Sequence, residues 1–373
     1  MRKSGVCQGK KLGEDNFCPG PSWSGVARFR RVWTGARWFE DGGMVVLQGR
    51  VVALEGYRQV RRVWGRACQA WDGIVVPGLV NAHTHLELAG LAGKVPLGDF
   101  GGWAAAVAQQ DFWDQSAVER SMVQMGLGSI ALVLDTATRA VRPMLELWSR
   151  FGVWEFGVLC ESLAKRIPRA WVPQVPVLGG WVAPAAHSVY ATAPEVIQGA
   201  KDWCRRQGRW FSLHVAEREG ELAMAQARFP WVRELQARSV VDLLDRLGVL
   251  DAGTIVVHGV HLGEADVQRL AQRRSVVCLC PRSNEALGVG RTPWSLLRRV
   301  GVGLCLGTDS LASAPDGDLW QELAWLKEHL APELRLEEAL ALVTGQTLGR
   351  GRLACGEAAV WAALPGWCLE MFS

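Results

Sequence analysis

The chain has 373 residues, 49% of them hydrophobic and 21% charged. That supplies enough apolar side chain for a large core and excludes a disordered chain. Its 41 Lys and Arg against 37 Asp and Glu leave a net charge of +4; the short arginine pairs Arg61-Arg62 and Arg298-Arg299 do not make the basic stripe of a nucleic-acid binder.

The first residues, MRKSGVCQGKKLGEDNFCPG, begin with charge but lack the apolar centre of a signal peptide. Residues 1–24 read as an N-terminal tail, with Cys7 and Cys18 as exposed tail thiols. No apolar stretch reaches bilayer-spanning length. Ten cysteines are spread along the chain without a C-x-x-C pair. Cys278, Cys280 and Cys305 lie in apolar runs, where a free thiol behaves as a small hydrophobe. A reducing, cytoplasmic setting is expected.

From residue 30 the segment RRVWTGARWFEDGGMVVLQGRVVALEG alternates apolar and polar residues around Gly-rich turns, the pattern of antiparallel hairpins. Eight short apolar runs follow: residues 73–85, 129–138, 154–162, 177–187, 209–217, 254–260, 275–284 and 302–310. Each reads as a strand buried on both faces. Segments between them, such as PEVIQGAKDWCRRQG and ARSVVDLLDRLGVL, have helical spacing of apolar positions. Eight strand–helix units are the number that closes a (β/α)8 barrel. The last stretch, GEAAVWAALPGWCLEMF, is again strand-like. The expected fold is α/β: a (β/α)8 TIM-like barrel over 75–347, with a small β-sandwich domain built from both chain ends, residues 25–74 and 348–373.

In such a barrel the chemistry gathers at the C-terminal ends of the strands. His83 and His85 end the first run, and their spacing of two puts both on one face of an extended chain. His187 ends the fourth run; His214, with Glu217 three residues on, lies near the end of the fifth; His258 lies near the end of the sixth; Asp309 ends the eighth. Of seven histidines only His261 and His329 fall elsewhere. Imidazoles and a carboxylate converging from strand ends point to a bound ion, zinc or alternatively ferrous iron. No lysine ends the fourth run, so a carbamylated-lysine two-metal centre is not expected. The H-x-E with P-C-x-x-C of the other zinc-deaminase fold is absent.

PGLVNAHTH, SLHVAE, VVHGVHL, CPRSN and GTDSLAS resemble the amidohydrolase superfamily, in its branch of metal-dependent deaminases and chlorohydrolases, from about Val32 to the end of the chain. The resemblance implies one divalent ion held by His83, His85, His214 and Asp309. It implies a proton-shuttling role for Glu217 and a place beside the reactive water for His258; Glu217 also reads as a helix first-turn carboxylate. Within the branch, HTHLEL, FGGW, CPRSN and GTDSLAS look most like aminofutalosine deaminases, which serve menaquinone biosynthesis. That likeness implies substrate contacts from Glu87, Trp103, His187, Arg282 and Ser310, with Arg282 as a fork for a substrate carboxylate; a surface arginine is the other reading of Arg282. The HAPYS of that family stands here as HSVYA, and the strand-eight motif continues as LASAPDGDL. The function implied is hydrolytic deamination of an adenine-bearing nucleoside with release of ammonia. Alternatives are deamination of S-adenosylhomocysteine or methylthioadenosine, of guanine or of cytosine, a chlorohydrolase, and an imidazolonepropionase-like C–N hydrolase. The implied partner is a small-molecule substrate, with no nucleic acid and no membrane; a homodimer is compatible with the sequence, which leaves the oligomeric state open.

Overall fold

A computed structural model describes residues 9–11, 23–65, 68–126, 129–151, 154–166, 168, 170–173, 179–314 and 316–372. Eight parallel strands form the barrel: β1 (Leu79–Thr84), β2 (Ile130–Ala137), β3 (Phe156–Ser162), β4 (Gly180–Ala186), β5 (Phe211–Val215), β6 (Thr254–His258), β7 (Val276–Leu279) and β8 (Gly303–Leu306). They pair in chain order as two four-stranded sets, β1 to β4 and β5 to β8. Their burial is nearly complete along each strand, which explains why the sequence shows continuous apolar runs instead of alternation. Helices cover the outside. The helix Pro194–Gln207, for example, buries Val196, Ile197, Ala200 and Cys204 and stops at Gly208 in the left-handed region.

The two sets join at both seams by backbone bonds near the strand ends. At one, His214 N donates to His187 O at 2.9 Å. At the other, Asp309 N donates to His83 O at 3.1 Å and His85 N donates to Asp309 O at 3.2 Å. Just below, Asn81 Nδ2 donates to Thr308 Oγ1 at 2.8 Å, and Thr308 N donates back to Asn81 Oδ1 at 3.2 Å.

The first apolar run divides between two domains. Gln69–Pro77 lies in the small sheet, and only Leu79–Thr84 belongs to the barrel. Pro77 lacks the N–H that a continuing ladder needs. At Gly78 a Cβ would come within 2.6 Å of Val360 and 2.9 Å of Ala131, so the chain crosses here where no side chain fits. The small domain is a six-stranded sheet. It contains Gly9–Lys11, from the segment expected to be a tail, the strands Gly25–Trp33, Trp38–Leu47, Arg50–Gly56 and Gln69–Pro77, and the C-terminal Trp361–Ala363. The last apolar stretch is therefore only part strand; its end, Gly366–Met371, is a helix behind Pro365. Cys7 and Cys18 lie outside the described residues, and the eight described cysteines are free. No helix among the described residues is long and apolar enough to cross a membrane.

Aromatic rings fill the small domain's core. Phe29 stacks on Trp71 at 5.3 Å between centroids, and Trp361 meets both edge-on at 5.3 and 5.8 Å. Trp361 comes from the far end of the chain and is 2% exposed. Trp361→Ala is expected to cost about 3–5 kcal/mol of stability, as large-to-small core changes do. Denaturant unfolding of the small domain measures it.

Candidate metal centre and cavity

At the C-terminal mouth of the barrel five histidines and three carboxylates converge, all from strand ends. His83 and His85 come from β1, Glu161 from β3, His187 from the residue after β4, and His214 from β5 with Glu217 just beyond. His258 comes from β6 and Asp309 from just past β8. Ligand atoms of His83, His85 and Asp309 lie within 4.8 Å of one another; so do those of His83, His214 and His258, and those of His85, Glu161 and His214. Asp309 Oδ1 stands 3.7 Å from His83 Nε2 and 3.8 Å from His85 Nε2. The Nε2 atoms of His85 and His214 face each other at 3.3 Å. These separations are too long for direct strong pairing and leave a common point between the atoms.

The group fits a cation. His83 Nε2 is buried and has no hydrogen-bond partner, a loss that costs about 1–3 kcal/mol unless something fills it. His214 donates its Nδ1 proton to His187 O at 2.8 Å, so its Nε2 carries a free lone pair. Burial lowers the pKa values of His85, His214 and His258, keeping them neutral, the form that ligates. Burial pushes Asp309 up, but His83 and the other histidines beside it overcome that and hold the carboxyl well below its usual range.

Asp309, His258 and Glu217 are held from behind by further groups. Ser283 Oγ donates to Asp309 Oδ2 at 2.5 Å and Ser313 Oγ to the same oxygen at 3.2 Å, leaving Oδ1 for the centre. His258 Nδ1 donates to Asn284 Oδ1 at 2.9 Å, so its Nε2 faces Glu217 Oε1 at 3.4 Å as an acceptor. Glu217 is buried, and burial with Asp309 close by raises its pKa to about 8. Its backbone N–H, with those of Ala216 and Arg218, is tied to the Glu221 carboxylate. Ala216, His258 and Asp309 all have left-handed φ, 52°, 71° and 55°. Non-glycine residues adopt that region at a cost, and three at the ends of β5, β6 and β8 mark the constraint imposed here.

A cavity of about 460 Å³ opens above the centre. Trp103 and His187 line it. Trp103 Nε1 donates to Ala312 O at 2.9 Å, which pins the helix α1 (Phe100–Gln109) over the mouth. His187 Nδ1 lies 3.1 Å from Glu161 Oε1; against the burial penalty that carboxylate raises the pKa of His187.

Three of the expected substrate contacts have their side chains engaged within the protein, and two of them, Arg282 and Ser310, do not line the cavity. The Arg282 fork is already filled: its Nη1 and Nη2 donate to Asp316 at 2.7 and 3.0 Å, and it does not line the cavity. It anchors the short helix Pro281–Ala286, while its backbone N–H donates to the buried Glu322. Ser310 is buried and its hydroxyl pairs with Ser313 Oγ at 3.0 Å, away from the cavity. Glu87 borders the cavity, but its carboxylate is spent on the N–H groups of Thr138, Arg139 and Ala140. It caps the turn after β2 from the edge of the cavity.

Sequence reading missed Glu161, Ser283, Asn284 and Ser313. Glu161 had the same signal as the histidines, a polar residue at the end of an apolar run. Ser283 and Asn284 carried none, because Asp309 and His258 are each 26 residues away from them in the chain, and Ser313, four residues past Asp309, looks like any loop serine.

Comparison with known proteins agrees with this architecture. The model of the amidohydrolase family matches residues 74–348. The 5-methylthioadenosine/S-adenosylhomocysteine deaminase of Nitratidesulfovibrio vulgaris (strain DP4) is 29% identical over 309 residues, covering 76% of this chain and 67% of its own. Among solved structures, an adenosine deaminase from Xanthomonas campestris with bound zinc superposes with a TM-score of 0.75 at 23% identity, covering 92% of this chain and 85% of that one. Helicobacter pylori aminofutalosine deaminase in complex with methylthio-coformycin gives 0.76 at 18% identity, covering 90% and 91%. At those identities the two structures speak for the fold alone.

Proposed function

The chain belongs to the amidohydrolase family, and from that premise we propose that it is a metal-dependent hydrolytic deaminase of an adenine-bearing nucleoside, with aminofutalosine as the leading substrate and S-adenosylhomocysteine the next. The observation that carries the reading is the pairing, at the cavity floor, of a cation-ready cluster with a buried Glu217 that faces His258.

His83, His85, His214 and Asp309 would hold one divalent ion, zinc or iron. Such an ion supplies a water whose pKa is lowered to about 7 in favourable sites. His258 would meet the reacting water through Nε2, since its Nδ1 proton is committed to Asn284. Asp309 would turn Oδ1 to the ion, because Ser283 and Ser313 occupy Oδ2, and its carboxylate would accept the water's proton. With a pKa of about 8, Glu217 is protonated at neutral pH and can donate to a ring nitrogen. The carbon bearing the amine gains oxygen, and ammonia departs with the transferred protons. The apolar wall of α1 and Trp103 covers the ring. The likeness to the N. vulgaris deaminase supports an adenine nucleoside over guanine or cytosine.

Purified protein is expected to contain about one zinc or iron per chain by elemental analysis, and His214→Ala to lose it. Two ions at equal occupancy would overturn the single-ion assignment.

The activity test follows ammonia release from aminofutalosine, S-adenosylhomocysteine, adenosine, guanine and cytosine. Adenine nucleosides should release it. Glu217→Gln should keep the metal and the fold while turnover drops at least ~100-fold, the usual scale for an acid–base group. No ammonia from any member of the panel, or near-normal turnover by the glutamine variant, contradicts the reading.

A further inference from the structure

Two residues of the stretch CPRSN brace the centre. Ser283 donates to Asp309 Oδ2, and Asn284 accepts from His258 Nδ1. Both project from one short helix, Pro281–Ala286. A helix of that length is not stable alone, so its orientation follows from what holds it.

It is held at both ends. At its end Ala286 O accepts from Gly98 N at 2.7 Å, and a Cβ on Gly288 would come within 2.7 Å of Gly98 O, so the loop that leads into α1 rests on it directly. At its start Pro281 has no N–H to offer, and Arg282 makes the attachment. The guanidinium forks onto Asp316 at 2.7 and 3.0 Å, and the backbone N–H donates to Glu322 Oε2 at 3.1 Å. Both acceptors lie in the segment after β8, which also carries Asp309. Asp316 accepts in turn from the N–H of Asp318, and Asp318 caps the helix Leu319–His329 that contains Glu322. Arg282 thus fastens the loop after β7 to the loop after β8.

The attachment is costly for a purely structural one. Glu322 is fully buried, and its Oε1 has no hydrogen-bond partner among the described residues. The Arg282 side chain is only 12% exposed. Well-packed apolar residues would fill such a space without the desolvation penalty. Neither residue lines the cavity. What a bidentate fork adds over apolar packing is direction, because it fixes the plane of the guanidinium and the chain that bears it.

We propose that Arg282 is a positioning residue: by setting the rotation of the helix Pro281–Ala286 against Asp316 and Glu322, it makes Ser283 and Asn284 hold Asp309 and His258 toward the reacting water. The proposal rests on the deaminase reading of the same site and adds what keeps two of its groups in register. Arg282 acts through the helix and touches no ligand.

The experiment uses the zinc-loaded protein with isotope-labelled histidine rings, of which there are seven. The His258 Nδ1–H is buried against Asn284 and should give a slowly exchanging ring N–H resonance, assigned by its loss in Asn284→Ala. Arg282→Met keeps the length of the side chain without the fork. It should shift or broaden that resonance and lower kcat for ammonia release about tenfold, the low end for groups behind a catalytic shell, with KM and zinc content unchanged. Arg282→Lys, with the charge but not the fork, should recover little of kcat. In the Ser283→Ala, Asn284→Ala background, Arg282→Met should cost no further kcat, because the groups it acts through are gone. If Arg282→Met does not fold, Asp316→Asn, at a partly exposed position, is compared in its place. A full additional loss in the double-alanine background overturns the positioning role. So does a raised KM at unchanged kcat, which would return Arg282 to the ligand, or an undisturbed resonance with normal kcat. Should no substrate release ammonia, the deaminase reading falls and the resonance decides alone: displaced in Arg282→Met it supports the positioning role, undisturbed it overturns it.

Discussion

The barrel closes on the same residues that form the centre. At the seam between β8 and β1, the backbone bonds run between Asp309, His83 and His85 themselves, with Thr84 Oγ1 donating to Asp309 O at 2.9 Å. At the opposite seam the bond runs from His214 to His187. Four strands from each half can meet only if these residues take up fixed positions, so the spacing of the side chains follows from closure. The left-handed φ of Asp309 and His258 turns each chain out of its strand at the point where the side chain must face inward. The surrounding ladder holds that strain, and an ion or a transition state meets groups that need no rearrangement.

Closure alone would pack many polar groups into a dry space, and their environments separate their charges. Burial drives Glu217 toward its neutral form, whereas His83 and its neighbours keep Asp309 ionised. Two carboxylates at one floor thus arrive with opposite protonation, which is the division of labour a proton transfer needs. Glu161 does a third job. It sits against the Nδ1 atoms of His187 and His214 at 3.1 and 3.3 Å, so the histidine rings are oriented from behind. Ser283 and Asn284 on the short helix after β7 do the same for Asp309 and His258.

The strands were legible because burial on both faces leaves a plain apolar signature, and the centre was legible because its groups stand at the ends of those runs. Two kinds of information were not in the local pattern. One is where a run changes domain: residues 73–85 look continuous, and only Pro77 with the tight crossing at Gly78 divides them. The other is pairing at a distance. Arg282 looks the same in sequence whether its fork meets a ligand or Asp316, which lies 34 residues on. Ser310 follows the Asp309 ligand position directly but turns toward Ser313, while Ser283, from another strand, reaches the carboxylate. Motif resemblance points to loops and cannot say which side chain in each loop is already taken.

That distinction also separates the parts of the molecule that set the reaction from those that set the substrate. Everything on the floor is anchored to strand ends and held by at least one buried partner. Above it, the groups that meet a ligand come from loops and from α1, as is usual when one barrel serves many substrates. The wall of α1 is apolar and only half-covered by protein, with Trp103 and Val107 packed against Leu88, Phe112 and Ala312, and the apolar surface left facing water contributes nothing to folding. Trp103 ties the helix to Ala312, and Arg139 and Arg218 lie on the rings at Phe112 and Phe100 on either side of it. Its cavity-facing side chains share one space with the strand-end cluster, so a ligand seated there would bury against α1 while reaching the floor.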